Sequence, residues 1–588
     1  MDSKHVTEST SGQKDIQKTW WKEAIIYQIY PRSFQDSDGD GIGDLNGITS
    51  RLDYIQSLGV DIIWLNPIFL SPNDDNGYDI SDYREIMREF GTMEDFDRLL
   101  KEIHKREMRL VLDLVVNHTS DEHPWFEEAR KSRHNPYYNY YHWWPAEKGE
   151  PPLRLSYFDE EGNAWTYNKP TDSYYLHYFS RKQPDLNWEN PEVRQEIFDM
   201  MRFWFDKGID GFRMDSISLI AKDPSFPLID SKKYPDIFSF YAKEPRLHLY
   251  LHEMNRQVLS KYDCMSVGEG SAVMVDDVAK FVDPAREELN MLYHFDAARI
   301  RNTTLPDNPE SGIDYSLIAL KKMFTEWDKA VDKGWPSIYL GNHDQPRMVS
   351  RFGSDKDEFR ALSAKMLITF LLTMRGTPYW FAGDEIGMRN IRFDRIEDYN
   401  DIDTINRYKK AKAEGKDPQA VLDEQKETGR DNARTPFQWD RSPETGFTAG
   451  TPWLKVNPDY TWINVADEEK DPTSILNYFK KVVSFRKENP SLIYGSYHLL
   501  DAENPQSYTF LRKTGADTYL IMLNFSPKAA ISTPGIDMSN AHVLLDNYGD
   551  RSHMAPQKDI TLRPFEAIVF QLNHPVYESF IDSLDLLE

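Results

Sequence analysis

Residues 110–116 read L-V-L-D-L-V-V, an apolar run that contains one charged residue, Asp113. A short apolar run of this kind, bounded by polar residues, predicts a β-strand. Seven further runs of similar character occur at 24–30, 60–66, 209–215, 264–269, 289–295, 337–342 and 378–383. The sequence therefore predicts eight strands before residue 384.

Amphipathic stretches separate these predicted strands. Apolar residues at positions 96, 99, 100 and 103 recur at helical spacing, and Thr92 with Asp95 resembles a capping box. Asn190-Pro191 is typical of a helix N-cap followed by proline at the first helical position. Eight strand–helix units predict an α/β protein built on a (β/α)8 TIM barrel.

Two features interrupt the alternation. Residues 114–184 are too many for an ordinary loop and contain N-P-Y-Y-N-Y-Y-H-W-W-P, so we interpret them as a small inserted domain after the third strand. The barrel is then predicted to occupy residues 1–113 and 185–504, with a charged helical excursion at about 389–430 that would form a lid. Residues 505–588 alternate in the manner of strands and predict a C-terminal antiparallel β-sandwich domain.

Composition restricts the partners and the compartment. The 588 residues carry a formal net charge of −26, a field that repels nucleic acid and anionic membranes and suits a neutral small-molecule substrate. The chain has one cysteine, no apolar signal segment, and no apolar run long enough to span a bilayer. We therefore expect a cytoplasmic monomer that has no nucleic-acid or membrane partner and no organic cofactor.

Polar residues gather where the predicted strands end, which is where the active site of such a barrel forms. These residues are Asp79, Asp113, His118, Arg213, Asp215, Glu269, His343 and Asp344. Any single acid could cap a helix or pair with an arginine, but several buried acids at one rim are costly without a function. Two carboxyl groups and a third acid suit cleavage of a glycosidic bond, in which an ionised carboxylate attacks the anomeric carbon and a protonated one protonates the leaving oxygen.

Four motifs at these strand ends carry a resemblance to a known family. D-L-V-V-N-H, G-F-R-M-D, V-G-E and G-N-H-D-Q resemble, in order, the signature motifs of the α-amylase superfamily. Q-P-D-L-N-W at 183–188 is similar to a further motif of its oligo-1,6-glucosidase and α-glucosidase branch. The resemblance implies an exo-acting, retaining α-glucosidase that releases glucose from the non-reducing end of short α-1,4- or α-1,6-linked sugars.

The same resemblance implies the roles of individual residues. Asp215 would be the nucleophile, Glu269 the general acid/base and Asp344 the residue that stabilises the transition state. Asp79 and Arg434 would form the pair that blocks the site behind the non-reducing glucose. The residues implied to bind or surround the sugar are Tyr78, Asp79, His118, Phe179, Gln183, Arg213, Ser216, His343 and Arg434.

Departures from the motifs leave alternatives open. In the resembled branch, valine directly after the nucleophile accompanies α-1,6 preference, and threonine or alanine accompanies α-1,4 preference. The resemblance therefore implies that Ser216, which is small and polar, favours α-1,4 or mixed linkage specificity. Sucrose isomerases of this branch carry R-L-D-R-D where this chain has R-I-R-N-T at 299–303, so only the first arginine is kept. Transglucosylation or isomerase-like conversion of sucrose is therefore an alternative. A catalytically dead binding module is a further alternative of another class, disfavoured because all three acids are present.

An acidic loop, D-S-D-G-D-G-I-G-D at 36–44, follows the first strand. An EF-hand would require glutamate at position 47, where this chain has Gly47. The resembled branch carries a similar calcium loop, so we expect a structural Ca²⁺, or second Mg²⁺, because a cation would relieve the repulsion between the acids. A solvated acidic turn is the alternative. The expected ligands are Asp36, Asp38, Asp40, Asp44 and the carbonyl of Ile42.

Overall fold

Eight short strands of almost entirely buried residues form the central sheet. The computed structural model describes residues 18–158, 162–230, 232–233, 237–515, 517–552 and 557–572. In chain order the barrel strands β1 to β8 are Ile26–Ile29, Ile62–Leu65, Arg109–Val115, Gly211–Asp215, Met265–Glu269, Met291–Tyr293, Ser337–Ile338 and Thr377–Phe381. All eight coincide with predicted runs.

The strands pair in parallel in the order β6-β5-β4-β3-β2-β1-β8-β7. Ile26 of β1 lies opposite Ile62 of β2, and Val111 of β3 lies opposite Gly211 of β4. The two end strands meet where Ser337 Oγ donates a hydrogen bond of 2.9 Å to the Leu292 carbonyl. The predicted (β/α)8 barrel is confirmed.

Helices follow the barrel strands and pack their apolar faces against the outside of the sheet. In the helix Met93–Lys105, both hydrogen bonds of the capping box between Thr92 and Asp95 are present. Asn190 caps Pro191–Lys207, which ends at Gly208 in a left-handed conformation (φ 108°) that glycine adopts without steric cost. The other main helices around the sheet are Leu45–Ser50, Leu52–Ser57, Arg246–Gln257, Asp296–Thr303, Leu317–Ala330, Arg360–Thr373 and Ile475–Glu488.

Two additions lie over the carboxyl ends of the strands. Between β3 and β4, the strands Trp143–Pro145, Trp165–Asn168 and Ser173–Leu176 form a small antiparallel sheet within the predicted insertion. After β8, the helices Ile402–Ala413 and Pro418–Thr428 pack against each other within the predicted lid. The two additions touch, because Asn406 Nδ2 donates a hydrogen bond of 2.6 Å to the Phe158 carbonyl.

The C-terminal part is an antiparallel β domain. Its larger sheet contains Ser496–Leu500, Ser507–Thr514, Asp517–Asn524, Ala567–Leu572 and Ala541–Asp546, in that spatial order. Ala530–Ser532 pairs with Ile560–Leu562 in a second sheet, and apolar residues of both sheets share one core. The larger sheet begins at Ser496, upstream of the predicted boundary at 505.

No helix in the described part of the chain combines the length and the apolar character needed to cross a membrane.

Candidate active site

A cavity of about 280 Å³ opens at the carboxyl ends of the barrel strands. The predicted acids Asp215, Glu269 and Asp344 all contribute to its wall. The remaining residues that line it are Asp75, Tyr78, His118, Tyr157, Phe158, Phe179, Ser216, Ser271, Ala272, Phe295, Arg299 and Arg430. Acids that are far apart in the sequence therefore face one space.

The guanidinium of Arg213 organises the acids at the base of this cavity. Its Nη1 donates to Asp113 Oδ1 at 2.6 Å and to Asp215 Oδ1 at 2.8 Å, and its Nη2 donates to Glu269 Oε2 at 2.6 Å. Nε donates to the Tyr293 hydroxyl at 2.8 Å. Arginine is fully buried here, and its five N–H groups in a fixed fork suit several carboxylates at once.

Asp215 and Glu269 end neighbouring strands and act on each other directly. Burial, followed by the Glu269 carboxylate beside it, raises the pKa of Asp215 well above its ordinary value, while Arg213 opposes this. A buried carboxyl group beside another carboxylate resists ionisation, so the ionised form of Asp215 depends on the hydrogen bond from Arg213 Nη1. A nucleophile in double displacement must be ionised, so we expect Arg213 to be essential to that role.

Asp344 has the opposite electrostatic environment. Burial alone would raise its pKa, but its neighbours His343, Arg430 and Arg434 outweigh burial and lower the pKa of Asp344 well below its ordinary value. Arg434 Nη2 lies 3.0 Å and Arg430 Nη1 3.3 Å from Asp344 Oδ1. Asp344 is therefore ionised at neutral pH and places a fixed negative charge in the cavity wall.

His343 and Tyr78 lie together beside Asp344. Their rings are stacked with centroids 5.3 Å apart, and the Tyr78 hydroxyl lies 2.6 Å from His343 Nε2. The same hydroxyl donates to Asp113 Oδ2 at 2.9 Å. Burial lowers the pKa of His343 to about 3, so its ring is neutral at pH 7.

His118, Phe179 and Gln183 form the side of the site that faces the insertion. His118 Nε2 is 3.0 Å from the Tyr78 carbonyl and 3.2 Å from Gln183 Nε2, and burial lowers the pKa of His118 to about 3. The Phe179 ring packs against His118 at 5.0 Å. Gln183 is buried behind this wall and donates to Asp75 Oδ2 at 3.2 Å.

Ser216 follows the predicted nucleophile in a left-handed backbone conformation, with φ 43° and ψ 31°. Few residues other than glycine adopt this region, because it costs conformational free energy. Such backbone strain is typical of functional sites, where the surrounding structure fixes the geometry. The Ser216 amide donates to Glu269 Oε2 at 3.1 Å. The turn after β4 thereby helps to hold the carboxyl group at the end of β5.

The predicted pairing of Asp79 with Arg434 is wrong. Asp79 is fully buried, and it accepts hydrogen bonds from Ser71 Oγ and from the amides of Asp74 and Asp75. The Asp79 carboxylate thus stabilises the loop in which it lies. Arg434 instead donates to the His343 carbonyl and to Asp344.

An ion pair in the wall of the cavity joins Asp75 and Arg430, neither of which was predicted. Arg430 Nη2 lies 3.2 Å from Asp75 Oδ1, and both side chains line the cavity. Arg430 also binds Asp401, the N-cap of the helix Ile402–Ala413, at 2.6 Å. The only sequence signal was the position of each in the same short motif as a predicted residue: D-D-N-G-Y-D and R-D-N-A-R.

Aromatic residues of the insertion were also missed. Tyr157 stacks on Phe179 at 5.1 Å, and the Arg430 guanidinium lies 4.9 Å from the Phe158 ring. Their segment, S-Y-F at 156–158, belongs to none of the motifs that predicted site residues. Phe295 and Arg299 line the cavity from the loop and helix that follow β6.

The acidic loop after β1 brings three carboxylates together. Ligand-type oxygens of Asp36, Asp38 and Asp40 all lie within 4.8 Å of one another. Asp44 has a different role in this structure, because its carboxylate accepts hydrogen bonds from the Ser37 amide and hydroxyl and from Gly47 at the start of Leu45–Ser50. Three clustered hard oxygen donors are compatible with Ca²⁺ or Mg²⁺.

A (β/α)8 barrel that joins a contacting pair of carboxyl groups to a third, ionised carboxylate at its C-terminal face defines a glycoside hydrolase. The comparison with known families agrees and is more specific. Residues 28–495 match the α-amylase catalytic domain, and the chain belongs to the α-amylase family.

Curated relatives and solved structures cover nearly the whole chain. The oligo-1,6-glucosidase of Parageobacillus thermoglucosidasius is 51% identical over 571 residues, which are 95% of this chain and 100% of the relative. That of Bacillus cereus is 49% identical over 567 residues, with 95% and 100% covered. The structure of a variant of the trehalulose synthase MutB in complex with Tris is 42% identical, with a TM-score of 0.89 and 94% and 100% covered. The predicted family and enzyme class are confirmed.

Proposed function

We propose that the protein is an exo-acting α-glucosidase that releases single glucose units, with retention of configuration, from short α-1,4- or α-1,6-linked sugars. The observation that carries this proposal is the lining of the cavity. The Asp75–Arg430 ion pair and the acids Asp215 and Glu269 line the same space of about 280 Å³. We infer that the ion pair limits the number of sugar rings that can bind on the non-reducing side of the acids.

In this proposal Asp215 attacks the anomeric carbon while Glu269 protonates the oxygen of the departing sugar. A covalent glucosyl ester forms, and Glu269, now ionised, removes a proton from the water that hydrolyses this ester. Arg213 holds both carboxyl groups throughout. The ionised Asp344 stabilises positive charge that develops on the sugar ring in each transition state.

Product analysis tests this function. The protein is incubated with maltose, isomaltose and p-nitrophenyl α-glucoside, and proton NMR follows the anomer formed first. We expect α-glucose from all three, and little activity in Asp215→Asn. Release of β-glucose, or substantial activity in Asp215→Asn, would contradict the proposed mechanism.

Transfer of the glucosyl group is the second candidate. Phe295 and Arg299 line the cavity beyond Glu269, where a second sugar would replace water as the acceptor. The structural similarity to a trehalulose synthase supports this alternative. Incubation with sucrose separates the two, since hydrolysis gives equal glucose and fructose, whereas transfer leaves new disaccharides.

For the acidic loop, we propose a structural Ca²⁺, with Mg²⁺ as the second choice. Burial, followed by the repulsion from Asp38, Asp36 and Asp44, contributes to a raised pKa of Asp40. Asp36 already accepts hydrogen bonds from the amides of residues 38, 39 and 41 and from Thr448, which hold its carboxylate in place. A divalent cation would bind Asp36, Asp38 and Asp40 and relieve their repulsion.

A further inference from the structure

His343 is buried between two tyrosines, in contact with Tyr78 and Asp344 of the cavity wall, and has a different partner at each ring nitrogen. Its ring stacks on Tyr78 and, at 6.1 Å, on Tyr30. Nδ1 lies 2.8 Å from Gln28 Nε2, and Nε2 lies 2.6 Å from the Tyr78 hydroxyl and 3.2 Å from Asp344 Oδ2. A neutral imidazole carries one N–H, so the position of that proton decides which side of the ring donates.

The Asp113 carboxylate fixes the direction of the hydrogen bonds that reach this ring. As an ionised carboxylate it only accepts, so the Tyr78 hydroxyl donates its single proton to Asp113 at 2.9 Å. The hydroxyl must then accept from its other neighbours. Asn66 Nδ2, 2.7 Å away, is therefore a donor to Tyr78, which turns Asn66 Oδ1 towards Gln28.

Gln28 determines the direction of the hydrogen bond on the other side of the imidazole. Its Nε2 lies 2.9 Å from Asn66 Oδ1 and donates one proton there. The second proton of the same amide points to His343 Nδ1, which must accept. Gln28, Asn66 and His343 are all buried, so two N–H groups that faced each other here would cost the desolvation of an unsatisfied donor.

We propose that Gln28, a residue on β1 outside the cavity wall, is a positioning residue that holds neutral His343 in the Nε2–H tautomer. In this tautomer Nε2–H donates towards the Tyr78 hydroxyl and Asp344, the side of the ring that faces the sugar site. With the proton on Nδ1 instead, an Nε2 lone pair would face the Asp344 carboxylate, and two N–H groups would oppose each other at Gln28. This inference rests on the proposed function, but the tautomer of the His343 ring can be measured independently of it.

The direct test is the ¹⁵N spectrum of His343 in the full-length protein at neutral pH. The His343 signals are assigned by their loss in His343→Asn. We expect one protonated nitrogen, Nε2, and one unprotonated nitrogen, Nδ1. A spectrum with the proton on Nδ1, or an average of both tautomers, would overturn the proposal whether or not the enzyme is active on any sugar tested.

A pair of variants tests the effect of this tautomer on catalysis. Gln28→Met removes the amide at similar volume, and Gln438→Met makes the same change at a buried glutamine outside the cavity, bonded to Asp459 and the Ile463 carbonyl. We expect kcat/KM to fall by about 10- to 100-fold in Gln28→Met, with mixed His343 tautomers, and to stay unchanged in Gln438→Met. Wild-type kcat/KM and an unchanged tautomer in Gln28→Met would refute the role. If Gln28→Met does not fold, the wild-type spectrum decides.

Discussion

Asp75 and Arg430 are 355 residues apart in the sequence, and their side chains meet at 3.2 Å in the wall of the cavity. Arg430 joins this pair to Asp344 and to Asp401, so one guanidinium connects the loop after β2, a proposed catalytic acid and the lid helix Ile402–Ala413. We therefore expect the proposed limit on substrate length and the position of the lid to depend on the same side chain.

Removal of Arg430 is expected to widen the cavity beside Asp75. In Arg430→Ala, the buried Asp75 loses its cationic partner and keeps the hydrogen bond from Gln183. We expect kcat/KM for maltose and isomaltose to fall by about 10- to 100-fold, because a buried charge without an opposite charge is costly. Activity on longer chains should fall less. The measurement is kcat/KM across a series of gluco-oligosaccharides, with Arg392→Ala as control, an arginine that pairs with Glu427 outside the cavity. An equal loss at every chain length would count against this role.

The same pair predicts a pH dependence. Burial raises the pKa of Asp75 to about 6, against the lowering effect of Arg430 and Arg434. Asp75 is then ionised above about pH 6 and protonated below it, so the ion pair weakens as the pH falls. We expect KM to rise below about pH 6, and Asp75→Asn to show the high KM at every pH. A KM that rises below pH 6 in Asp75→Asn as it does in wild type would assign the effect to another group.

Arg213 should not tolerate replacement by lysine. Lysine keeps the charge but cannot donate to Asp113, Asp215 and Glu269 at once, because it lacks the planar fork of five N–H groups. We expect Arg213→Lys to lose about 100-fold or more in kcat, since a misplaced catalytic carboxyl group costs that order of rate. Steady-state kinetics, with circular dichroism to verify folding, measures this. Retention of more than a tenth of kcat would show that charge alone suffices.

The acidic loop gives opposite expectations with and without a cation. If Ca²⁺ binds, a chelator should lower the melting temperature by several degrees, because a ligand that binds only the folded state stabilises it. Asp40→Asn should then be less stable than wild type and respond less to the chelator. Without a cation, Asp40→Asn should be at least as stable as wild type, since it removes a repelling charge from beside Asp36 and Asp38. Melting curves of both proteins, with and without chelator, distinguish the two cases.

Local sequence patterns were sufficient to locate the barrel strands and the acids at their ends, while the roles proposed for those acids came from the family resemblance. Buried strands and capped helices are short-range features, so apolar runs and the Thr92–Asp95 box located them. Because every barrel strand directs its C-terminal end to the same face, acids at those ends had to meet, and Asp215, Glu269 and Asp344 do line one cavity.

Tertiary structure alone decided which charged side chains pair. Asp75 and Asp79 lie in one short segment, as do Arg430 and Arg434 in another. Nothing in the sequence shows that backbone amides bind the Asp79 carboxylate while Asp75 faces the cavity. Asp44 is likewise predicted from the sequence to be a metal ligand, but in the structure it caps a helix. A carboxylate binds whichever donors the folded backbone brings within about 3 Å, and that choice depends on loop conformations set by contacts far away in the chain.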